Sequence, residues 1–219
     1  MKKQFGVIGL GRFGISLALN LERLGFPVLA IDKNRDVVDF IKDKVSFADI
    51  VDATDPEALE ATGIKNCDTV IVAVGDVESS LLVSLILGEF GIKNIIAKAA
   101  SDIHRRVLKK IGVKEVVFPE EDMGIRVANK ITSANILDYI AISPDVDILD
   151  YKATDKLVSR SLKELALRNK FGVNVIAIKR KDEVIVSPQP DETFQTGDEL
   201  FLIGRTEDLL AFKKEMEGG

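Results

Sequence analysis

The chain has 219 residues, 46% hydrophobic and 30% charged with six prolines, which excludes disorder and low complexity. A net charge of −5 argues against nucleic acid as a default partner, because no basic surplus exists to displace counterions from phosphates. The single cysteine, Cys67, and the single histidine, His104, exclude a disulfide framework and any zinc site needing several His or Cys ligands. A hydrolytic triad would have to use His104.

The opening MKKQFGVIGLG carries too short an apolar run, with glycines and then Arg12, for a signal peptide. The most apolar later stretch, Leu81–Leu87, falls far below the ~18–20 residues that span a bilayer, so a soluble, cytoplasmic protein is expected. Apolar runs recur at Phe5–Ile8, Val28–Ile31, Ala48–Val51, Val70–Val74, Ile95–Ala97 and Val116–Phe118. Apart from Asp49 they are continuously apolar, as strands buried on both faces of a parallel sheet should be. Helical stripes lie between them: Gly14, Leu17, Ala18, Leu21 and Leu24 form one, and Leu82, Leu85, Ile86 and Glu89 another. Asp55-Pro56 marks a further helix start. Asp102–Lys110 reads as a charged amphipathic helix with His104 on its solvated face. Residues 1–118 therefore predict an α/β fold, a Rossmann-like, doubly wound parallel sheet.

After Pro119 the pattern changes. Asp122–Leu137 predicts a single long helix, running into Tyr139–Ile142 and ending at Ser143-Pro144, so residues 119–144 read as a helical linker to a second unit or a second subunit. Residues 145–219 read as a small α+β domain. Strands are expected at Val146–Tyr151, Val173–Lys179, Glu183–Val186 and Glu199–Ile203, with helices at Ser161–Leu167 and Thr206–Met216. Some 75 residues make a marginal core, so this piece is expected to pack against a copy of itself.

The strongest local signal is Gly9-Leu10-Gly11-Arg12-Phe13-Gly14, a G-x-G-x-x-G placed after a buried strand and opening a helix. Gly9 allows the tight turn, Gly11 lets backbone approach a pyrophosphate, and Gly14 permits close helix–strand packing. Free N–H groups and the helix dipole then favour an anion there. Glycines kept for packing alone would look the same, but the strand–turn–helix context favours a nucleotide. Asp32 ends the second strand, where a carboxylate can accept from ribose hydroxyls and repel a 2′-phosphate, although Lys33 and Arg35 weaken that exclusion. Asp52-Ala53-Thr54 and Ala73-Val74-Gly75-Asp76 follow the third and fourth strands, where ligands of such sheets sit; each also reads as an ordinary turn. Arg12 can make a forked contact to a terminal phosphate, or be a solvated residue of the first turn. No acid, base or nucleophile for catalysis is visible, which points away from an enzyme.

Together, FGVIGLGRFG, VLAIDKN, VDATD, TVIVAVGD, KNIIAKA, IGVKEVVFPEEDMG and SPQPDETFQTGDELFLIG resemble the KtrA/TrkA-type cytosolic regulators of Trk/Ktr potassium uptake systems across essentially the whole chain. The resemblance implies a nucleotide-binding RCK N-terminal domain and a smaller RCK C-terminal domain. It implies a homo-oligomer, dimers assembled into an octameric ring, docked on the inner face of the membrane through a potassium-translocating subunit and gated by ATP or ADP, or by NAD or NADH as in Trk-type relatives. Carried over, Gly9, Gly11 and Gly14 hold phosphates, Asp32 the ribose, and Asp52 and Thr54 border the adenine. Arg12 reads the terminal phosphate, and Lys98 and Glu120 point towards the same cleft. Glu120 matches the position that helps hold a cation, divalent or monovalent, beside the γ-phosphate. Lys98 and Glu120 equally suit a surface ion pair. The histidine of the common H-P-E pattern is Phe118 here. Asn174, Ile176 and Pro188 match parts of a cyclic di-AMP site found in some members, and also suit a dimer core. The main alternative is an NAD-dependent oxidoreductase.

Overall fold

A computed structural model describes residues 2–143 and 145–218. By its contacts the chain forms two compact units, one up to Pro119 and one from Glu120 on.

In the first unit strands and helices alternate: β1 (Phe5–Ile8), α1 (Arg12–Arg23), β2 (Val28–Asp32), α2 (Arg35–Ile41), β3 (Phe47–Ile50), α3 (Pro56–Ala61), β4 (Thr69–Val72), α4 (Val77–Glu89), β5 (Ile95–Lys98), α5 (Asp102–Lys110) and β6 (Glu115–Val117). The strands form one parallel sheet in the order β3-β2-β1-β4-β5-β6. Alternate residues along the strands feed two cores. Ile8, Ile31, Val70, Val72 and Ala97 pack on one face, and Val7, Val28, Ala30 and Ile71 on the other. Covering both faces with helices is why the strand sequences run continuously apolar. The strand order reverses between β1 and β4, which leaves a crevice at their carboxyl ends.

Three expectations are corrected here. β3 is an edge strand rather than a doubly buried one, with Phe47 57% exposed and Ile50 also exposed, because nothing pairs beyond it in the sheet. On α4 the inward residues are Ser80, Val83, Ser84, Ile86 and Leu87, while Leu82 and Leu85 are exposed. With two serines turned inward and two leucines outward, apolar residues do not mark this helix's inner face. His104 is buried rather than solvated, as described below.

The second unit takes in α6 (Pro119–Ile131) from its second residue on, then β7 (Ile136–Ser143), β8 (Val146–Lys152), α7 (Leu162–Leu165), α8 (Leu167–Phe171), β9 (Asn174–Arg180), β10 (Glu183–Val186), β11 (Glu199–Arg205) and α9 (Thr206–Glu217). Its antiparallel sheet has the order β10-β9-β11-β8-β7. The expected long helix over 122–137 therefore stops at Ile131, and β7 pairs antiparallel with β8, Tyr139 opposite Leu149 and Ile140 opposite Ile148. Thr132 Oγ1 donates to the Asn129 carbonyl at 2.7 Å and Asn135 N–H donates to Ser133 Oγ at 3.0 Å, so short polar side chains take over the backbone groups that a helix would need. The Pro144 end of that segment lies outside the described residues. The expected helix over Ser161–Leu167 divides at Ala166, whose φ of +46° is left-handed.

The loop between β10 and β11 is fixed by one arginine. Arg180 Nε and Nη2 donate to the two carboxylate oxygens of Asp198, each at 2.9 Å, and its Nη1 and remaining contact reach Glu192 and the Thr193 carbonyl, both at 3.0 Å. Asp198 is 1% exposed and also accepts from Gln195 N–H at 2.9 Å. Removing one partner of such a pair strands a buried charge. Arg180→Met is expected to destabilise the protein by about 3–5 kcal/mol in urea unfolding.

Candidate nucleotide-binding site

The G-x-G-x-x-G turn joins β1 to α1 at the crevice. Gly9 has a φ of +92°, and a side-chain carbon there would lie 2.7 Å from the Val74 nitrogen and 2.8 Å from the Ala73 carbonyl carbon. A side-chain carbon on Gly14 would overlap the Gly9 carbonyl oxygen. These two positions are therefore spoken for by the chain's own packing. Gly11 differs: a side-chain carbon there would meet nothing within 4 Å, so its missing side chain leaves open space. It is also the residue before α1, it provides no side-chain cap, and the first turn carries no acid. The ladder begins with Ile15 N–H donating to the Gly11 carbonyl at 2.9 Å. The N–H groups of Arg12, Phe13 and Gly14 thus have no partner within the helix and stand at its positive end. An anion is the natural complement to that end.

Asp32, the last residue of β2, does more than the sequence suggested. Its Oδ2 accepts from Leu10 N–H at 2.6 Å and its Oδ1 accepts from Asn34 N–H at 2.8 Å. The carboxylate therefore braces the glycine turn from the neighbouring strand, while each oxygen keeps a further lone pair for a hydroxyl donor. Backbone bonds complete the brace: Gly9 N–H donates to the Ile31 carbonyl at 2.8 Å, and Ala73 N–H to the Ile8 carbonyl at 2.7 Å.

The other residues singled out from sequence gather at the same edge. Asp52 Oδ1 accepts from the Thr54 hydroxyl at 2.7 Å and from Thr54 N–H at 3.0 Å, and these bonds hold its carboxyl below the usual range. Ala53 is buried against the sheet. Asp76 caps α4, accepting from Ser79 N–H and hydroxyl, which lower its pKa in turn. The Lys33 ammonium adds to the lowering at both Asp52 and Asp76, which puts one cation within electrostatic reach of both turns. Sequence reading had Lys33 beside Asp32 but gave no sign of this bridging position. Ala73 is buried, Val74 half-buried, and Gly75 lies open with nothing within 4 Å of a side-chain carbon. Arg12 is exposed at the start of α1, and Phe13 packs into the core beside it. Lys98 closes β5, opposite Val117 of β6.

Glu120 lies in the first turn of α6, in the second unit. Among the described residues no group of three or more His, Cys, Asp or Glu side chains comes together to hold a metal ion. In the second unit Asn174 opens β9, and Ser187 N–H donates to the Ile176 carbonyl at 2.9 Å, which brings Ile176 next to the segment carrying Pro188. Among the described residues no helix is long and apolar enough to cross a membrane.

Comparison with known proteins agrees with this architecture. The TrkA-N domain model matches residues 5–119 and the TrkA-C domain model residues 151–217. Ktr system potassium uptake protein C of Bacillus subtilis (strain 168) is 42% identical over 217 residues, covering 99% of this chain and 98% of that protein. The chain belongs to the TrkA-N/TrkA-C family, among the Ktr system potassium uptake proteins. Ktr system potassium uptake protein A of the same organism is 39% identical, covering 97% of this chain and 96% of that protein. In solved structures the GsuK channel superposes on the whole chain with a TM-score of 0.71 at 17% identity, and the chain spans 40% of that channel's length. That likeness is one of fold, and it shows the Rossmann-like sheet followed by an antiparallel domain to be the family's arrangement.

In this family member the brace at Asp32 has a measurable weight. Asp32→Ala leaves Leu10 N–H, on a residue 1% exposed, without its acceptor. The expected loss is about 1–3 kcal/mol in urea unfolding, with Asp32→Asn losing less because its one carbonyl oxygen can still accept.

Proposed function

We propose that the protein is a non-enzymatic, nucleotide-binding regulatory subunit of a Ktr-type potassium uptake system, acting at the cytoplasmic face through a membrane potassium-translocating partner. Near full-length identity of 42% to a Ktr system protein supports the assignment of system. The observation that carries the ligand is the turn itself: a helix start with three N–H groups free of helical partners, open space at Gly11, and a ribose-ready carboxylate at Asp32. An adenine nucleotide suits this set, its phosphates on the turn, its ribose at Asp32, and its base along Asp52-Ala53-Thr54. ATP and ADP are the proposed pair. NAD or NADH is the alternative, since its adenosine ribose would satisfy the same carboxylate.

The proposed mechanism is linkage. A ligand moves an assembly only by its difference in affinity between two conformations. ATP and ADP differ in one phosphate, so a charge near that group must tell them apart, and Arg12 is the exposed cation on the turn. The proposed assembly is a homo-octameric ring of dimers. Cyclic di-AMP is a proposed second ligand at Asn174, Ile176 and Pro188, supported by the resemblance and by the Ser187–Ile176 bond.

A thermal-shift panel of ATP, ADP, AMP, NAD and NADH tests the ligand, since a compound that binds the native state raises Tm. The largest shift is expected with ATP or ADP; no shift with any of them overturns the reading. Arg12→Ala is expected to lose about tenfold in ATP affinity and much less in ADP affinity by calorimetry, the scale of one charge-assisted contact. An unchanged ATP/ADP ratio removes Arg12 from that role.

A further inference from the structure

We propose that His104 is a positioning residue for the nucleotide cleft: it holds the turn between β5 and α5 closed only while its ring is neutral, so that nucleotide binding is linked to a proton. The proposal rests on the functional reading above, and its test separates the two.

His104 stands in the first turn of α5 and is 2% exposed. Its Nδ1 accepts from Ala100 N–H at 3.2 Å, and its own backbone N–H donates to the capping Ser101 hydroxyl, also at 3.2 Å. Ala99 N–H, at the other end of the turn, donates to the Val117 carbonyl of β6 at 3.0 Å. The three residues after Lys98 are thus pinned at both ends, and the ring supplies one of the pins. A nitrogen that accepts carries no proton, so the geometry assigns the single ring proton to Nε2. Nε2 is buried with no hydrogen-bond partner among the described residues. So is Ser80 Oγ, in the early turns of α4, the helix that packs beside α5.

A second proton could go only to Nδ1. There it would aim an N–H at the Ala100 N–H, two donors facing each other, and the pin would be lost. Protonation and the closed turn therefore exclude one another. Asp102, Arg105 and Arg106 on α5, Glu78 and Glu89 on α4, and Glu115 on β6 are all exposed. Lys98 alternates to the other face of the sheet from Ala97, which shares the core beneath α4 and α5. Burial lowers the ring's pKa from its ordinary 6.5. With the folded value depressed, the closed, stable state is fully present above about pH 6.5 and is lost as pH falls through the folded value.

The pinned turn sits at the carboxyl end of β5, beside β4, whose own carboxyl end leads into Ala73-Val74-Gly75. A nucleotide that binds the closed crevice must therefore lower the proton affinity of His104, and a proton on His104 must lower nucleotide affinity by the same factor.

Because the chain has one histidine, its Cε1–H resonance can be followed by NMR without ambiguity. The ring is expected to titrate below 6.5 in the free protein and lower again by about 0.5 pH unit under saturating ADP, about threefold in proton affinity. ADP binding with an unchanged titration overturns the proposal. His104→Asn keeps an oxygen where Nδ1 accepts but does not titrate, whereas His104→Leu keeps neither property. The ratio of ADP affinities at pH 7.5 and 5.5 is expected to be about twofold smaller in H104N than in wild type, the titration of ADP's own phosphates being common to both. H104L is expected to bind ADP more weakly than H104N at pH 7.5. Equal pH profiles for wild type and H104N overturn the proposal. Wild-type protein that takes up no ADP at either pH overturns the functional reading itself, and this inference with it. Should the variants fail to fold, the wild-type titration decides.

Discussion

The N-terminal unit depends on how closely the turn after β1 approaches its surroundings. Gly14 sits against the Gly9 carbonyl, Gly9 sits against the backbone of Ala73 and Val74, and the Asp32 carboxylate grips Leu10 N–H from the far side. No side-chain carbon has room at Gly9 or Gly14, so helix α1 can start directly over the sheet with its positive end at the crevice. The same crowding that fixes the turn leaves Gly11 facing open space. The glycines of one motif thus differ, two hemmed in by packing and one facing open space, which a pattern match alone does not reveal.

Asp32 joins the two roles. A carboxylate at the end of β2 satisfies a buried backbone donor and still offers lone pairs outward. A carboxylate so placed is coupled to the glycine turn, because a single hydrogen bond joins the two. His104 has a related position on the other side of β4, with an acceptor atom turned to a backbone N–H of a crevice turn. Both rely on the rule that a buried N–H must find an acceptor.

The C-terminal unit uses different physics. Its antiparallel sheet packs Leu149, Tyr151, Ile178, Leu200 and Leu202 into a core on one face only. A smaller core is reinforced by a buried ionic staple, Arg180 with Asp198 and Glu192, which ties the long loop after β10 to β9. On α6, Met123, Ile125, Val127 and Ile131 are exposed, as are Ile140 and Ile142 on β7.

The sequence by itself determined the alternation of buried strands and helices, the position of the glycine turn and the acid at the end of the second strand, because period, turn residues and continuous apolar runs are local properties. It also carried the family, through a series of motifs in order. Tertiary structure alone decided the rest. β3 is an edge strand because the strand order leaves it without an outer neighbour, which no local run of residues encodes. The inward side of α4 emerged only from packing, since Ser80 and Ser84 face the core while Leu82 and Leu85 face outward. Residues 132–135 end α6 by side-chain bonds to nearby backbone, and the strand that follows pairs with β8, Ser143 opposite Val146 at one end and Ile136 opposite Tyr151 at the other. His104 looked solvated among Asp102, Arg105 and Arg106 because charge neighbours in sequence say little about a helix's inner side. Only the sheet and α4 behind it show the ring to be buried and bonded.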